Sequence, residues 1–301
     1  MKQGDLVTRK SYGGDIVFKI HEMGRHYAVL RGVELRLLAD APLPDLNVMP
    51  QLDPYLDTTL TRPKWMEAVR RNSLAATIPP EHVGWGSSAA AAPANPNLPA
   101  QAPKPRPVFF DVPGKVLHLD GDPNYLRKCM NLYGELRVPA EGYYVAEPNM
   151  TDAVRRLLPQ VRPDIVVITG HDGLLKNRVN GDISQLSSYK NSHNFVQAVQ
   201  AARQFEKNRD NLTVIAGACQ SHFEALLQAG ANFASSPSRV LIHALDPLCI
   251  AVKVAYTPIR DTVDILDVIN LTHSGLEGMG GIESRGNYRR GVPKVQYVMP
   301  T

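Results

Sequence analysis

His171 and Cys219 are the residues of this chain whose types and setting best suit covalent chemistry. His171 closes the stretch Asp164-Ile-Val-Val-Ile-Thr-Gly-His171, and Cys219 closes Asn211-Leu-Thr-Val-Ile-Ala-Gly-Ala-Cys219. Each stretch is a short apolar run without alternation, rich in β-branched residues, the pattern of a strand buried on both faces of a parallel sheet. Both side chains should therefore emerge at the carboxyl ends of strands, where open α/β sheets bind their ligands. Alone, either residue reads as structural; a cysteine after an apolar strand is often a small core residue. As a pair they suit acyl transfer. The thiolate is the nucleophile, so Cys219 needs a base, a positive neighbour or a helix N-terminus. His171 can supply the imidazole, and a helix beginning near Ser221 can supply its dipole. His171 would then pass a proton to the leaving amine, with the backbone N–H groups of Gly173 and Cys219 as candidate oxyanion donors. Gly217 and Ala218 would let a substrate backbone approach, although small residues also suit any tight strand-to-helix turn.

His171 precedes Cys219 by 48 residues, close to the spacing of about 50 in caspases. Strand-His-x-Gly followed by strand-Ala-Cys resembles the caspase-like cysteine peptidases, a group whose histidine is usually followed directly by glycine. Here Asp172 intervenes before Gly173. With the opening Gly4-Asp5-Leu-Val7 and the overall length, the chain resembles the YabG family of sporulation-specific proteases from endospore-forming bacteria. That resemblance covers nearly all of the chain outside its Pro/Ala-rich middle. It implies a cysteine endopeptidase of caspase-like fold that trims basic spore coat proteins after arginine or lysine. It also implies a protein of the mother-cell cytoplasm associated with the spore coat, with coat proteins as partners and no metal or organic cofactor.

In caspase-like peptidases the loop after the first strand helps line the pocket for the residue preceding the cut. The corresponding loop is Asp120-Gly-Asp122, whose carboxylates could take an arginine in a bidentate fork. Asp120 is the stronger pocket candidate. Asp122 stands before Pro123 and reads equally as a helix N-cap. Asp246, expected after a later strand, is an alternative. Asp172 could bond its own loop, orient His171 or touch substrate.

The elements that must hold these residues follow the same reading. The fold class is α/β: a doubly wound, mostly parallel sheet at 108–301, preceded by a small SH3-like β-barrel at 1–42 and a partly helical, Pro/Ala-rich segment at 43–107. Strands are expected at Gly114–Asp120, Tyr143–Ala146, Arg239–Ala244 and Ile250–Ala255. Helices are expected from Pro123 towards Tyr133, over Thr151–Leu158, His193–Phe205 and Phe223–Ala229, and near Asp261–Leu271. The glycine-rich tail from Gly278 reads as disordered, or as a flap that closes over the site. Helical residues 62–71 and the linker from Gly86 to Pro107 separate the two domains, with Arg70, Arg71 and Arg106 as candidates for self-cleavage.

Arg9, Lys10, Lys19, Arg25, Arg31 and Arg36 read as the solvated face of the barrel, which would serve as a docking or targeting module for peptide or protein. The 33 basic residues barely exceed the 29 acidic ones, which does not establish a nucleic-acid partner. No apolar run approaches membrane-spanning length, and the first residues lack a signal-peptide core, so the protein is expected to stay where it is made. Three cysteines argue against a disulfide framework. Cys129 and Cys249 read as buried, and His222 and His243 as structural. Two other classes remain open: a non-catalytic coat scaffold, and a glutamine-amidotransferase-like enzyme, for which His273 and Glu277 are wrongly spaced. Phosphate-binding glycine motifs are missing.

Overall fold

A computed structural model describes residues 1–49, 110–175 and 182–292. The helical candidate at 62–71, the linker and the self-cleavage candidates Arg70, Arg71 and Arg106 lie outside the described residues.

The N-terminal part is an antiparallel sheet of Leu6–Arg9 (β1), Val17–Met23 (β2), Tyr27–Gly32 (β3), Leu38–Pro42 (β4) and Leu46–Val48 (β5), in the order β4-β3-β2-β1-β5. Its strands alternate. Val7, Phe18, Ile20, Ala28 and Leu30 turn inward and join the core of the following part, while intervening residues are more exposed.

Beyond it, strands and helices alternate: Phe110–Val112 (β6), Val116–Asp120 (β7), Pro123–Glu135 (α1), Ala140–Tyr144 (β8), Met150–Val161 (α2), Ile165–Thr169 (β9), Ser192–Phe205 (α3), Thr213–Ala216 (β10), Phe223–Ala229 (α4) and Phe233–Ser235 (β11). Then come Asp246–Tyr256 (α5), Thr262–Val263 (β12), Ile265–Ile269 (α6), Gly275–Gly278 (α7), Met279–Gly281 (β13), Ser284–Arg285 (β14) and Arg289–Gly291 (β15). The central sheet runs β13-β11-β10-β9-β7-β8, parallel throughout except for β13 against β11. The protein is thus mixed α/β, with a mostly parallel central sheet and an antiparallel N-terminal sheet.

The unalternated strands are buried on both faces, as parallel strands must be. Val116, Ile165, Val167, Ile215 and Phe233 pack with α1, α5 and the N-terminal sheet. Leu117, Leu119, Val166, Ile168 and Val214 pack with α2, α3 and α4. The N-terminal sheet therefore shares one core layer with the larger part.

Two expected strands are corrected. Ile250–Ala255 lies inside the buried helix α5, and Arg239–Ala244 is irregular apart from one isolated bridge at His243. A short continuous apolar run reads alike as a buried strand or a buried helix. Here Pro247 in the first helical turn and nine buried residues of α5 mark a helix packed on all sides. The tail is corrected too: β13 completes the central sheet, β14 pairs with β12 and β15 with β6. No helix among the described residues is long and apolar enough to cross a membrane.

Candidate active site

β9 and β10 are neighbours, with Ile168 opposite Ala216. His171 and Cys219 each lie three residues beyond that pair, so the parallel register carries both to one level past the strand ends. Gly217 makes the turn possible. Its φ of +109° suits glycine, and a Cβ there would meet Leu226 Cδ1 at 2.9 Å. The Gly217 N–H donates to Ile168 O (3.0 Å) and Thr169 Oγ1 donates to Gly217 O (2.8 Å), tying the two strand ends together.

His171 is fully buried. Its backbone N–H donates to Glu147 Oε1 (2.9 Å), and its ring stacks on Tyr125 with centroids 5.4 Å apart. Neither ring nitrogen has a hydrogen-bond partner; Nε2 lies 3.8 Å from Asp122 Oδ2. Burial, reinforced by Arg31 and Arg36, holds the imidazole well below its usual range, so it is neutral.

Cys219 is also fully buried. Its Sγ accepts from the Ile242 N–H (3.2 Å). Burial pushes the thiol up to about 12, against smaller opposing effects of the Ile242 contact and Arg36. The expected help from a helix dipole is weak. α4 begins at Phe223, capped by His222, which leaves Cys219 outside the turn over which the dipole acts.

Asp172 is a knot within its own loop. Its Oδ1 accepts from Gly173 N (2.8 Å) and Asn191 N (2.8 Å), and its Oδ2 accepts from Ser192 Oγ (2.5 Å) and Ser221 Oγ (2.9 Å). These bonds join the His171 loop, the start of α3 and the Cys219 loop. The Gly173 N–H is thereby committed to a carboxylate. The amides that converge on one carbonyl are those of Asp172 and Cys219, each 3.3 Å from Arg36 O.

Arg36, expected on a solvated barrel face, is fully buried at this site. Its Nη1 and Nη2 each reach one oxygen of Asp120 at 3.0 Å, and Nε and Nη2 donate to Ala244 O (3.0 and 2.7 Å). The guanidinium also lies 5.0 Å from the Tyr125 ring centre. Burial opposes ionisation of Asp120, but Arg36 and His118 outweigh it and hold the carboxyl well below the usual range. Asp122 caps α1 through Asn124 N (2.8 Å) and Tyr125 N (3.2 Å). Asp246 follows an irregular segment, not a strand; it starts α5, where it accepts from His273 N (2.8 Å), His243 N (3.1 Å) and Ser274 Oγ.

Sequence reading missed Arg36, Tyr125 and Glu147. For Arg36 a signal existed: it is a cation set between leucines in Val33-Glu-Leu-Arg-Leu-Leu38. Tyr125 and Glu147 carried none, because their roles depend on contacts across separate loops. His222 is structural, its Nε2 meeting Ser184 O (2.7 Å), and Cys129 and Cys249 are buried.

Two groups of described residues bring metal-type ligands within 4.8 Å: His118, Asp120 and Cys129, and His243, Asp246 and His273. In the first, Arg36 already supplies the counter-cation. In the second, the Asp246 carboxylate is already shared among three donors.

The family model described as YabG peptidase U57 matches residues 2–293. The chain is also 40% identical over 306 residues to the sporulation-specific protease YabG of Bacillus subtilis (strain 168), an alignment covering 96% of this chain and 97% of that protein. On both comparisons the chain belongs to the YabG peptidase U57 family, and it is a peptidase.

Proposed function

We propose that this peptidase is a cysteine endopeptidase of caspase-like architecture that works in sporulation, cutting spore coat proteins after arginine. The observation that carries the reading is the pose of one arginine. Arg36 holds its guanidinium on Asp120 while its carbonyl accepts from the amides of Asp172 and Cys219. A substrate arginine in that pose presents its carbonyl beside a thiol and its charge to a bidentate carboxylate.

In the proposed cycle Cys219 Sγ attacks the arginyl carbonyl and the two amides hold the oxyanion. His171 carries the thiol proton to the leaving amine, and water then hydrolyses the thioester. Asp122 faces the imidazole and favours its protonated form during transfer. Asp172 is a positioning residue, since its bonds fix both loops. Lysine would fit less well, because it reaches Asp120 as a single point charge. The strand order, with helices on both faces and the pair at the carboxyl ends, supports the caspase-like reading; the compact antiparallel N-terminal sheet supports the SH3-like one. The role in sporulation rests on family membership and on the relative's name; coat proteins as substrates are the expectation that the sequence resemblance carries.

The test is intact-mass analysis of a basic coat protein incubated under reducing conditions with wild type, Cys219→Ala or His171→Ala. Fragments ending in arginine from wild type alone are expected, with unchanged circular dichroism in all three. Equal fragmentation by Cys219→Ala would assign the nucleophile elsewhere.

A further inference from the structure

Arg36 belongs to the chain's own β3–β4 connection, between Gly32 and Leu38. Glu34 to Leu38 threads between the two loops at the strand ends as an added strand. On one side it pairs antiparallel with the segment before α5: Ala244 N donates to Glu34 O (2.8 Å) and Arg36 N to Ile242 O (3.2 Å), with Leu35 bridged to His243. On the other side it pairs parallel with the His171 loop, where Leu38 N donates to Asp172 O (3.0 Å) and Leu37 is bridged to Asp172. The segment changes partner at Arg36, the residue whose carbonyl meets the Cys219 amide. Gly173 accommodates the close approach, since a Cβ there would lie 2.7 Å from Leu38 O. Tyr125 Oη donates to Leu35 O (3.0 Å), and Arg31 Nη1 donates to Gly121 O (3.0 Å), anchoring the end nearer β3.

We infer that Glu34–Leu38 is an internal occupant of the substrate cleft, with Arg36 in the arginine pocket, so that the folded chain masks its own active site until this segment leaves. The inference rests on the cysteine-endopeptidase reading above and adds its regulation and its binding register. Main-chain pairing on both sides with one side chain in a pocket is how extended peptides bind at sheet edges. The same contacts leave no approach for another chain: Arg36, His171 and Cys219 are each 0% exposed. They also leave both groups at rest, the Cys219 thiol protonated against Ile242 and the His171 imidazole neutral against Tyr125. The occupied register places Glu34 and Leu35 before Arg36, and Leu37 on the leaving side. It predicts that external substrates bind with an apolar residue before the arginine.

The experiment compares full-length wild type, Arg36→Gln and Cys219→Ala. Initial hydrolysis of an acyl-Leu-Arg coumarylamide and the rate of iodoacetamide alkylation at each cysteine, mapped by mass spectrometry, are read together. Arg36→Gln is expected to hydrolyse at least tenfold faster than wild type from the first seconds and to alkylate at Cys219 at least tenfold faster. Cys129 and Cys249, both buried, must stay protected and so report that the fold is kept. Equal hydrolysis and equal Cys219 alkylation in wild type and Arg36→Gln, with those two cysteines protected, overturn the mask and leave the protease reading standing. Hydrolysis that survives in Cys219→Ala defeats the cysteine-endopeptidase reading instead. If Arg36→Gln exposes all three cysteines, the wild type decides after covalent labelling with an acyl-Leu-Arg chloromethyl ketone. Faster amide exchange over residues 33–38 in the labelled protein supports the mask, and unchanged protection there with Cys219 fully labelled overturns it.

Discussion

Asp120 and Asp172 follow the ends of neighbouring strands, both fully buried, and although burial raises both carboxyls, their partners send them in opposite directions. Asp120 faces a guanidinium and is held well below the usual carboxylate range. Asp172 faces two amides and two hydroxyls and is raised, because those neutral donors only partly offset the cost of burying its charge. The difference separates two uses of a buried acid. A carboxylate matched to one cation is a receptor, whose ligand can be exchanged for another arginine. A carboxylate divided among four donors from separate loops is a fixture, whose loss loosens everything it joins.

The largest effect should come from breaking the receptor. Asp120→Asn leaves the Arg36 cation buried and is expected to cost about 3–5 kcal/mol in urea unfolding. Arg36→Gln/Asp120→Asn should cost less than the sum of the two single changes, because neither variant then strands a charge. A cost within about 0.5 kcal/mol for Asp120→Asn, the range of an ordinary surface change, would show that Asp120 is not the partner of a buried cation.

Asp172→Ala should follow at about 2–4 kcal/mol, since it strands the hydroxyls of Ser192 and Ser221 and two amides. Asp172→Asn, which can still accept at one oxygen, should lose less by the same measurement.

The dependence of stability on pH sharpens the contrast. The folded pKa of Asp120 is lowered, so its contribution is present above the unfolded value near 3.8 and is lost as pH falls towards the folded value. The folded pKa of Asp172 is raised, so acidification through it towards 3.8 favours the folded state. His171 and His118 are lowered, so the unfolded chain takes up protons first and stability falls as pH drops through the unfolded value near 6.5. Stability measured from pH 7 to 3 should therefore decline more gently at its acid end in Asp120→Asn than in wild type. In Asp172→Asn it should decline more steeply. Parallel curves for all three proteins would contradict the assignment of opposite roles.

The smallest effect concerns the third carboxylate. Asp122→Ala removes the cap of α1 and should cost about 1 kcal/mol by urea unfolding. Asp122→Asn retains the cap, and on the proposed mechanism it should slow hydrolysis with little loss of stability.

Much of the scaffold was legible in the chain itself. The unalternated runs ending at His171 and Cys219 became adjacent parallel strands, and Asp122-Pro123 started a helix, because these signals are local. Where two structures share one local pattern, reading failed. Ile250–Ala255 is as apolar as a buried strand, yet it forms part of α5, which packs on β9 and β10 of the central sheet. The tail from Gly278 looked unstructured because its glycines carry no periodic pattern. Over residues 279–291 it pairs with strands already in place.

The sequence by itself determined the alternating α/β order, the caps and turns, and the delivery of a histidine and a cysteine to strand ends, since all follow from residue type and short-range spacing. The tertiary structure alone decided which carboxylate meets a cation, which amides share one carbonyl and that Arg36 is buried beside Cys219. Those contacts join residues 84 to 208 positions apart, and a backbone or side-chain group signals in sequence only that it needs a partner, not which distant one folding will bring.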